Sequence, residues 1–226
     1  SKEFLKPIWK GLFTKENLPI DIIISPEFEV AKSLYRKLEA PGAIDNIPFA
    51  DDLVRLLEIQ IDEKCPVINT ALSKLTEIFS DLEANVIGVL RKEKFLILKK
   101  TDKLIREDKA FILTNSKQVN RTLSIFGKEE SFTKNILIIG AGNIGFDLAK
   151  MLEDGETPPR IKIVEKNSDR AEFIASELNN AIVIKGDGLD ENILKESNLD
   201  EVDTVLALTN DDEDNLMVSV LVEKFS

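Results

Sequence analysis

A glycine-rich turn offers the clearest chemistry in this sequence. Gly140, Gly142 and Gly145 follow four apolar residues, 136–139, and precede a segment with helical apolar spacing. In a fingerprint with this spacing, the first glycine permits a tight turn, the second lets the backbone approach a pyrophosphate, and the third lets helix and strand pack closely. The N-terminus of the following helix attracts phosphate without a lysine in the loop. The turn predicts a dinucleotide-binding loop comprising Gly140, Ala141, Gly142, Asn143, Ile144 and Gly145.

An acidic residue at the next predicted strand supports this interpretation. The apolar run 161–164 ends in Glu165, twenty positions after Gly145. A carboxylate at the tip of the second strand accepts hydrogen bonds from a ribose diol. Because Glu165 also repels a ribose 2′-phosphate, the sequence favours NAD(H) or an adenine nucleotide over NADP(H). Lys166 and Arg170 lie close enough in sequence to weaken that repulsion.

Residues 134–226 alternate predicted strands with predicted helices, which is typical of a doubly wound parallel α/β sheet. Ser168 or Asp169 is predicted to cap the helix after the second strand, and the last helix is predicted over 216–222. The predicted strands are 136–139, 161–164, 181–184 and 204–208. Each predicted strand ends in glycine or polar residues, and the carboxyl ends of such strands form a ligand crevice.

The earlier part of the chain has a different pattern of apolar and polar residues. A strand at 20–24 and a helix beginning at Ser25-Pro26 are followed, from about Ile47, by shorter strands with alternating polarity. Predicted strands cover 53–61, 85–90, 95–98 and 110–113, and predicted helices cover 70–79 and 116–126. This pattern predicts a small α+β unit without a catalytic constellation, so we interpret it as a packing or interaction module.

The charge of the chain is unevenly distributed. The net charge is −11; residues 134–226 hold 9 basic and 20 acidic side chains, and residues 1–133 hold 21 of each. A phosphate backbone would therefore meet one neutral half and one acidic half, so no nucleic acid is expected as a partner. The most basic segment, 91–109, also contains acidic residues. It is predicted to be a solvated face, or else a docking site for an acidic partner.

Several kinds of chemistry are missing from the composition. The sequence has no histidine and one cysteine, Cys65, which argues against zinc chemistry, an internal disulfide and histidine-based acid–base catalysis. No apolar run approaches the roughly 20 residues that span a bilayer, and the first thirty residues lack a signal-peptide pattern. We therefore expect a cytoplasmic protein that does not insert into the membrane.

The order of these motifs resembles the KTN/RCK (regulator of K⁺ conductance) family of nucleotide-binding subunits. A full subunit in that family has two tandem repeats, each a Rossmann-like N-domain followed by a smaller C-domain. The chain is similar to the middle of such a subunit. The resemblance implies the end of a first N-domain over 1–45, with Ile22 to Pro26 and Ala40-Pro-Gly42, a C-domain over 46–128, and a second N-domain over 129–226 that stops before its last strand.

The resemblance also implies roles for residues along the crevice. It assigns the glycine loop to the pyrophosphate, Glu165 to the adenosine ribose and Arg170 to the phosphates. From the residues alone, Arg170 fits a surface position on its helix equally well. Residues flanking the adenine would be Gly186, Asp187 and Gly188, and residues sensing the nucleotide would be Thr209, Asn210 and Asp211, with the acidic run continuing to Glu213 and with Asn215. The carboxylates from 211 to 214 also fit a solvated helix N-terminus.

The function implied by the resemblance is regulatory. The expected ligand is NAD(H) or ATP/ADP, and the expected partner is a membrane potassium transporter or channel that is gated from the cytoplasmic side by a homo-oligomer, a dimer or tetrameric ring. No catalysis is expected. Two alternatives remain: an NAD-dependent oxidoreductase, for which the only tyrosine, Tyr35, lies far from the fingerprint, and a regulator of a potassium efflux antiporter.

Overall fold

A computed structural model describes residues 24–128, 133–155 and 157–225. The described residues divide into two compact units, one formed by 24–35 with 133–225 and the other by 36–128. The strand predicted at 20–24 and the helical spacing in 1–19 lie, except for Ile24, outside the described residues. The domain boundaries expected after residues 45 and 128 stay predictions.

The helices and strands follow one another in the order α1 (Pro26–Glu39), β1 (Asp45–Phe49), β2 (Val54–Gln60), α2 (Leu72–Ile78), β3 (Ala84–Arg91), β4 (Lys94–Leu96), β5 (Lys109–Asn115), α3 (Val119–Ile125), β6 (Asn135–Ile139), α4 (Asn143–Glu153), β7 (Arg160–Glu165), α5 (Ser168–Glu177), β8 (Ile182–Lys185), α6 (Glu191–Glu196), β9 (Thr204–Ala207) and α7 (Asp212–Phe225).

The second half of the chain forms a four-stranded parallel sheet in the order β8-β7-β6-β9. Its central strand β6 has four consecutive apolar residues, Ile136 to Ile139, each no more than 1% exposed. A strand covered on both faces needs no polar alternation, which explains the unbroken apolar run. The predicted Rossmann-like parallel sheet is confirmed. The strand order reverses between β6 and β9, and this switch point is where doubly wound sheets bind ligands.

Residues 36–128 contain a five-stranded antiparallel sheet in the order β1-β2-β5-β3-β4. Buried and half-buried residues alternate along β2 and β5, and Leu57, Ile59 and Ile112 are at most 1% exposed. This confirms the predicted α+β unit. Strand β1 was not predicted, because Pro48 and two polar residues interrupt its apolar pattern; it lies at the edge of the sheet, where proline is tolerated.

A buried ion pair joins two strands of the antiparallel sheet. Asp108, which is fully buried just before β5, accepts hydrogen bonds from Arg91 Nε at 2.7 Å and Nη2 at 2.8 Å. The backbone N–H of Ile105 donates to the same carboxylate at 2.9 Å. The carboxylate also raises the pKa of the Arg91 guanidinium. The expectation of a solvated face over 91–109 is therefore wrong for its first residue and for Asp108.

Candidate functional site

The carboxyl ends of the parallel strands bring the predicted site residues to one edge of the sheet. Strand β6 ends beside Gly140, and β7 and β8 end with Glu165 paired to Lys185. On the other side of β6, Ile139 is paired with Ala207, the last residue of β9. Since parallel strands run the same way, the loops that follow all four strands lie along this edge.

The three glycines of the loop differ in the space around them. Gly140 has a φ of +94°, and a Cβ there would lie 2.7 Å from the carbonyl oxygen of Leu208, so a side chain is excluded by conformation and by contact. A Cβ on Gly145 would overlap the carbonyl oxygen of Gly140. A Cβ on Gly142 would meet no protein atom within 4 Å. The first and third glycines are therefore required by packing, whereas the second borders open space.

The helix after the loop presents its N-terminus at this edge. Helix α4 begins at Asn143, Gly142 is its N-cap residue, and no side chain caps it. The N–H of Phe146 donates to the carbonyl of Gly142 at 3.1 Å, which closes the first turn. The first N–H groups of an α-helix have no carbonyl partner within the helix, so those of Asn143 and Ile144 favour an anion at this position.

Glu165 fastens the glycine loop to the end of β7. Its Oε2 accepts a hydrogen bond from the N–H of Ala141 at 2.9 Å, and its Oε1 accepts one from the N–H of Asn167 at 2.8 Å. The carboxylate is half-buried and lies directly beside the loop. This places a negative charge where a dinucleotide-binding fold needs a ribose acceptor. The ribose role itself stays a prediction.

Arg170 is the second side chain that holds the loop. It donates from Nε to the carbonyl of Ala141 at 2.8 Å and from Nη2 to the carbonyl of Gly142 at 3.2 Å. Its guanidinium carbon lies 5.3 Å from the ring centre of Phe146 and 5.2 Å from that of Phe173. Cations above aromatic faces are attracted by the ring quadrupole. Arg170 is therefore a half-buried residue of α5 that is bonded to the loop, and a phosphate contact stays a prediction.

The helix cap near Glu165 differs from the prediction. Asn167, rather than Ser168 or Asp169, is the N-cap of α5, because its side-chain oxygen accepts from the N–H of Arg170 at 2.9 Å. Asparagine caps helices as well as serine or aspartate does, so all three candidates were compatible with the sequence. The contact of Arg170 with Phe146 was also missed, because it joins side chains from two different helices, whereas Phe173 lies three residues further along the helix of Arg170.

An ion pair bridges the ends of β7 and β8. Lys166 Nζ lies 2.6 Å from Asp187 Oδ2, and the other oxygen of Asp187 accepts from the N–H of Leu189 at 3.0 Å. The bond from Lys166 holds the pKa of the Asp187 carboxyl below its ordinary value, and Asp187 in turn raises the pKa of Lys166. The structure thus brings Lys166 and Asp187 together at the predicted crevice.

The glycines on either side of Asp187 have a packing role. A Cβ on Gly186 would lie 2.5 Å from Cδ1 of Ile193, and a Cβ on Gly188 would overlap the side chain of Ile139. Any larger residue at either position would displace apolar side chains that fill the sheet edge. Their predicted place beside an adenine remains a prediction.

The segment after β9 is an ordered helix start. Asn215 accepts from the N–H of Thr209 at 2.8 Å and donates to its carbonyl at 3.2 Å. Asp211 caps α7, accepting from the N–H groups of Glu213 at 2.9 Å and Asp214 at 3.0 Å, while Asn210 is exposed beside it. Helix α7 begins at Asp212, four residues before its predicted start. Its first turn is acidic, as the alternative interpretation of a solvated helix N-terminus expects.

Neither a metal-binding cluster nor a membrane-spanning helix occurs in the described ranges. Residues 24–128, 133–155 and 157–225 contain no group of three or more aspartate, glutamate, histidine or cysteine side chains placed to hold a metal ion. Within the same part of the chain, every helix is too short or too polar to cross a membrane.

Comparison with known proteins identifies two domains. Residues 56–127 match the family model of the TrkA-C domain, and residues 136–226 match that of the TrkA-N domain. The chain is 39% identical over 224 residues to the Trk system potassium uptake protein TrkA of Azorhizobium caulinodans, covering 99% of this chain and 49% of that protein. The protein of the same name from Vibrio alginolyticus is 33% identical over 215 residues, covering 95% of this chain and 46% of that protein. The chain therefore spans about half the length of these curated relatives.

Solved structures share the fold. The GsuK RCK domain aligns with a TM-score of 0.57 at 18% identity, covering 97% of this chain and 45% of that one. A structure of the GsuK channel bound to NAD aligns with a TM-score of 0.59 at 16% identity, covering 97% of this chain and 38% of that one. At these identities the likeness supports the RCK fold.

Proposed function

Because this chain belongs to the family of proteins built from TrkA-C and TrkA-N domains, we propose that it is a nucleotide-binding regulatory part of a potassium uptake system. The names of its relatives support potassium uptake as the process. The proposal has two parts, a nucleotide site in the parallel-sheet unit and a membrane protein that responds to it.

The glycine loop carries the first part of the proposal. Gly140 and Gly145 are closed to side chains by neighbouring backbone, while the space next to Gly142 is open for at least 4 Å. A loop that existed only to pack a helix against a strand would not need a glycine at this second position. The open space lies at the uncapped N-terminus of α4, so it suits a pyrophosphate.

We infer NAD(H) as the ligand, with ATP or ADP as the alternative. All of these carry an adenosine ribose and a phosphate chain, which would lie against Glu165 and the loop respectively. The name of the neighbouring GsuK structure, which is bound to NAD, favours the dinucleotide. Lys166 and Arg170 are already engaged by Asp187 and by the loop carbonyls, which leaves the charge of Glu165 to disfavour a 2′-phosphate.

Glu165 and Arg170 connect the nucleotide site to the rest of the parallel-sheet unit, so they can transmit whether a nucleotide is bound. Glu165 connects the loop to the end of β7, and Arg170 connects it to α5. When bound, the nucleotide would supply a phosphate charge and ribose hydroxyls that compete for these bonds. A ligand shifts a conformational equilibrium only by its difference in affinity for the two states. We propose that Glu165 and Arg170 bond the loop differently in those two states.

The partner in this proposal is a membrane potassium transporter or channel, and the chain acts as a homo-oligomer, a dimer or tetrameric ring, at the cytoplasmic face of the membrane. Helix α7 supports assembly, because Leu216, Met217 and Val220 are 66%, 53% and 54% exposed on it. Apolar side chains grouped on one surface mark interaction sites more often than scattered ones do.

We infer binding rather than catalysis. A hydride-transferring enzyme needs a proton donor or acceptor beside the nicotinamide, and the sequence has no histidine to supply one. Incubation of the protein with NADH and a panel of carbonyl compounds should give no turnover above that in buffer. Steady turnover would contradict this inference.

Isothermal titration with NADH, NAD⁺, ATP and ADP tests the site. Wild-type protein should bind at least one of them, and Gly142→Asp and Gly142→Val should abolish binding while keeping the fold, because the residue has a φ of −59° and open space around it. Valine fills the space without charge, so equal loss in both variants would show a steric effect. Unchanged binding in both would place the ligand elsewhere. A wild-type protein that binds none of the four would overturn the nucleotide part of the proposal.

A further inference from the structure

The pairing of Lys166 with Asp187 has a consequence for which dinucleotide the crevice accepts. Lys166 directly follows Glu165, the proposed ribose acceptor. In dinucleotide-binding folds, a basic residue near this strand end accommodates the ribose 2′-phosphate of NADP. Lys166 therefore lies where a lysine without an ion-pair partner could favour NADP(H), against the preference for NAD(H) set by Glu165.

The structure shows that this lysine is already engaged. Its Nζ lies 2.6 Å from Asp187 Oδ2, while Asp187 Oδ1 is fixed by the N–H of Leu189 at 3.0 Å. Two separate bonds thus orient Asp187 towards the lysine. Asp214 on α7 acts on Lys166 in the same direction, and both acids raise the pKa of its ammonium.

The other nearby cation is engaged differently. Arg170 keeps its charge but directs its donors to the carbonyls of Ala141 and Gly142 and lies against two aromatic rings. Turning it towards a 2′-phosphate would break both loop bonds. Lys166 is therefore the side chain whose release would change the charge available to that phosphate.

We propose that Asp187 is a specificity-determining residue, which disfavours NADP(H) by holding Lys166 away from a ribose 2′-phosphate. This inference rests on the proposed nucleotide site. A purely stabilising role explains the pair poorly, because Lys166 and Asp187 are 76% and 41% exposed, and exposed ion pairs contribute little to stability. Because the pair bridges the ends of β7 and β8 and Lys166 directly follows Glu165, it can act on the ligand instead.

Titration of NADH and NADPH into the 226-residue chain and its variants tests the proposal. Asp187→Asn keeps an oxygen for Leu189 but removes the charge, so the affinity for NADPH relative to that for NADH should rise about fivefold, the scale of one exposed charge pair. The double variant Asp187→Asn/Lys166→Gln should lose this gain. Asp200→Asn is the matched control, because it removes one exposed charge just before β9, at the opposite edge of the sheet.

The single variant Lys166→Gln provides a measurement that does not depend on changing Asp187. Since Asp187 already holds the lysine, NADPH affinity should stay as weak as in the wild type. A marked loss of NADPH affinity would show that Lys166 reaches the phosphate despite the pair, and would overturn the proposal. An Asp187→Asn variant that changes both affinities alike, or neither, would overturn it too. If NADH binds normally, only this inference fails; if the wild type binds neither dinucleotide, the inferred NAD(H) ligand fails with it.

Discussion

Asp108 and Glu165 both lie at the ends of strands, but in sheets of different type. Asp108 is fully buried in the antiparallel sheet and is bonded to Arg91 and a backbone N–H. Glu165 is half-buried at the edge of the parallel sheet and holds only backbone N–H groups. In the antiparallel sheet neighbouring strand ends pair with strand starts, which lets the charge be satisfied internally. In the parallel sheet all carboxyl ends meet at one edge, so their polar groups face a common crevice.

Replacing Arg91 should give the largest effect, because it breaks the internal pairing of the antiparallel sheet. Arg91→Ala leaves a fully buried carboxylate without its cation, which typically costs about 3 kcal/mol or more. Urea unfolding followed by circular dichroism should show a lower midpoint for the variant. We expect this cost for the buried carboxylate Asp108, and not for the partly exposed carboxylates Glu165 and Asp187 at the crevice.

Arg106→Ala is the matched control. Arg106 pairs with Glu63 in the same unit, but their side chains are 62% and 73% exposed. Removing that pair should change the midpoint very little, since exposed pairs contribute little. Equal decreases in the urea midpoint of Arg91→Ala and Arg106→Ala would show that burial does not decide how much an ion pair contributes to stability.

The contrast between two glycines of the loop gives the next largest effect. Gly145→Ala would press a methyl group into the backbone of Gly140 and should destabilise the protein by about 1–3 kcal/mol, as overpacking does. Gly142→Ala adds the same methyl group to open space and should leave the unfolding midpoint nearly unchanged. Thermal or urea unfolding of both variants checks this difference. A Gly142→Ala variant as unstable as Gly145→Ala would contradict the open space that the proposed site requires.

The smallest effect concerns pH. Lys166 lowers the pKa of Asp187 in the folded state, so this pair stabilises the fold fully above the ordinary carboxyl pKa of 3.8. The contribution is lost as the pH falls through the lower, folded-state value. The small difference in urea midpoint between wild type and Asp187→Asn should therefore stay constant above pH 3.8 and shrink over the range below it. A difference that stays constant over this range would mean that Asp187 acts without its charge.

Local patterns in the sequence were enough to predict the parallel sheet and its loop. Strand β6 is continuously apolar, and the spacing of Gly140, Gly142 and Gly145 follows directly from the needs of a tight turn and close packing. Both signals are properties of neighbouring residues. The structure adds that only two of the three glycines are required by protein packing.

Contacts between distant segments could not be predicted in the same way. The bond from Ala141 to Glu165 and the bonds from Arg170 to the loop join residues 24 to 29 positions apart. The burial of Asp108 was hidden because its neighbours in sequence are charged, while its partner Arg91 lies across the sheet. Strand β1 was missed for a related reason, since its place is set by pairing with β2 and not by its own apolar pattern.

The most direct test of the crevice is an amide-resolved NMR titration of the ¹⁵N-labelled chain with NADH. We expect shifts of the N–H signals of Ala141, Gly142, Asn143 and Asn167, because these amides form or border the loop. The N–H signals of Ile105 and Asp108, which lie just before β5 of the antiparallel sheet, should stay in place. Shifts confined to residues 54–115, or no shifts at saturating NADH, would contradict the claim that the parallel-sheet edge is the nucleotide site.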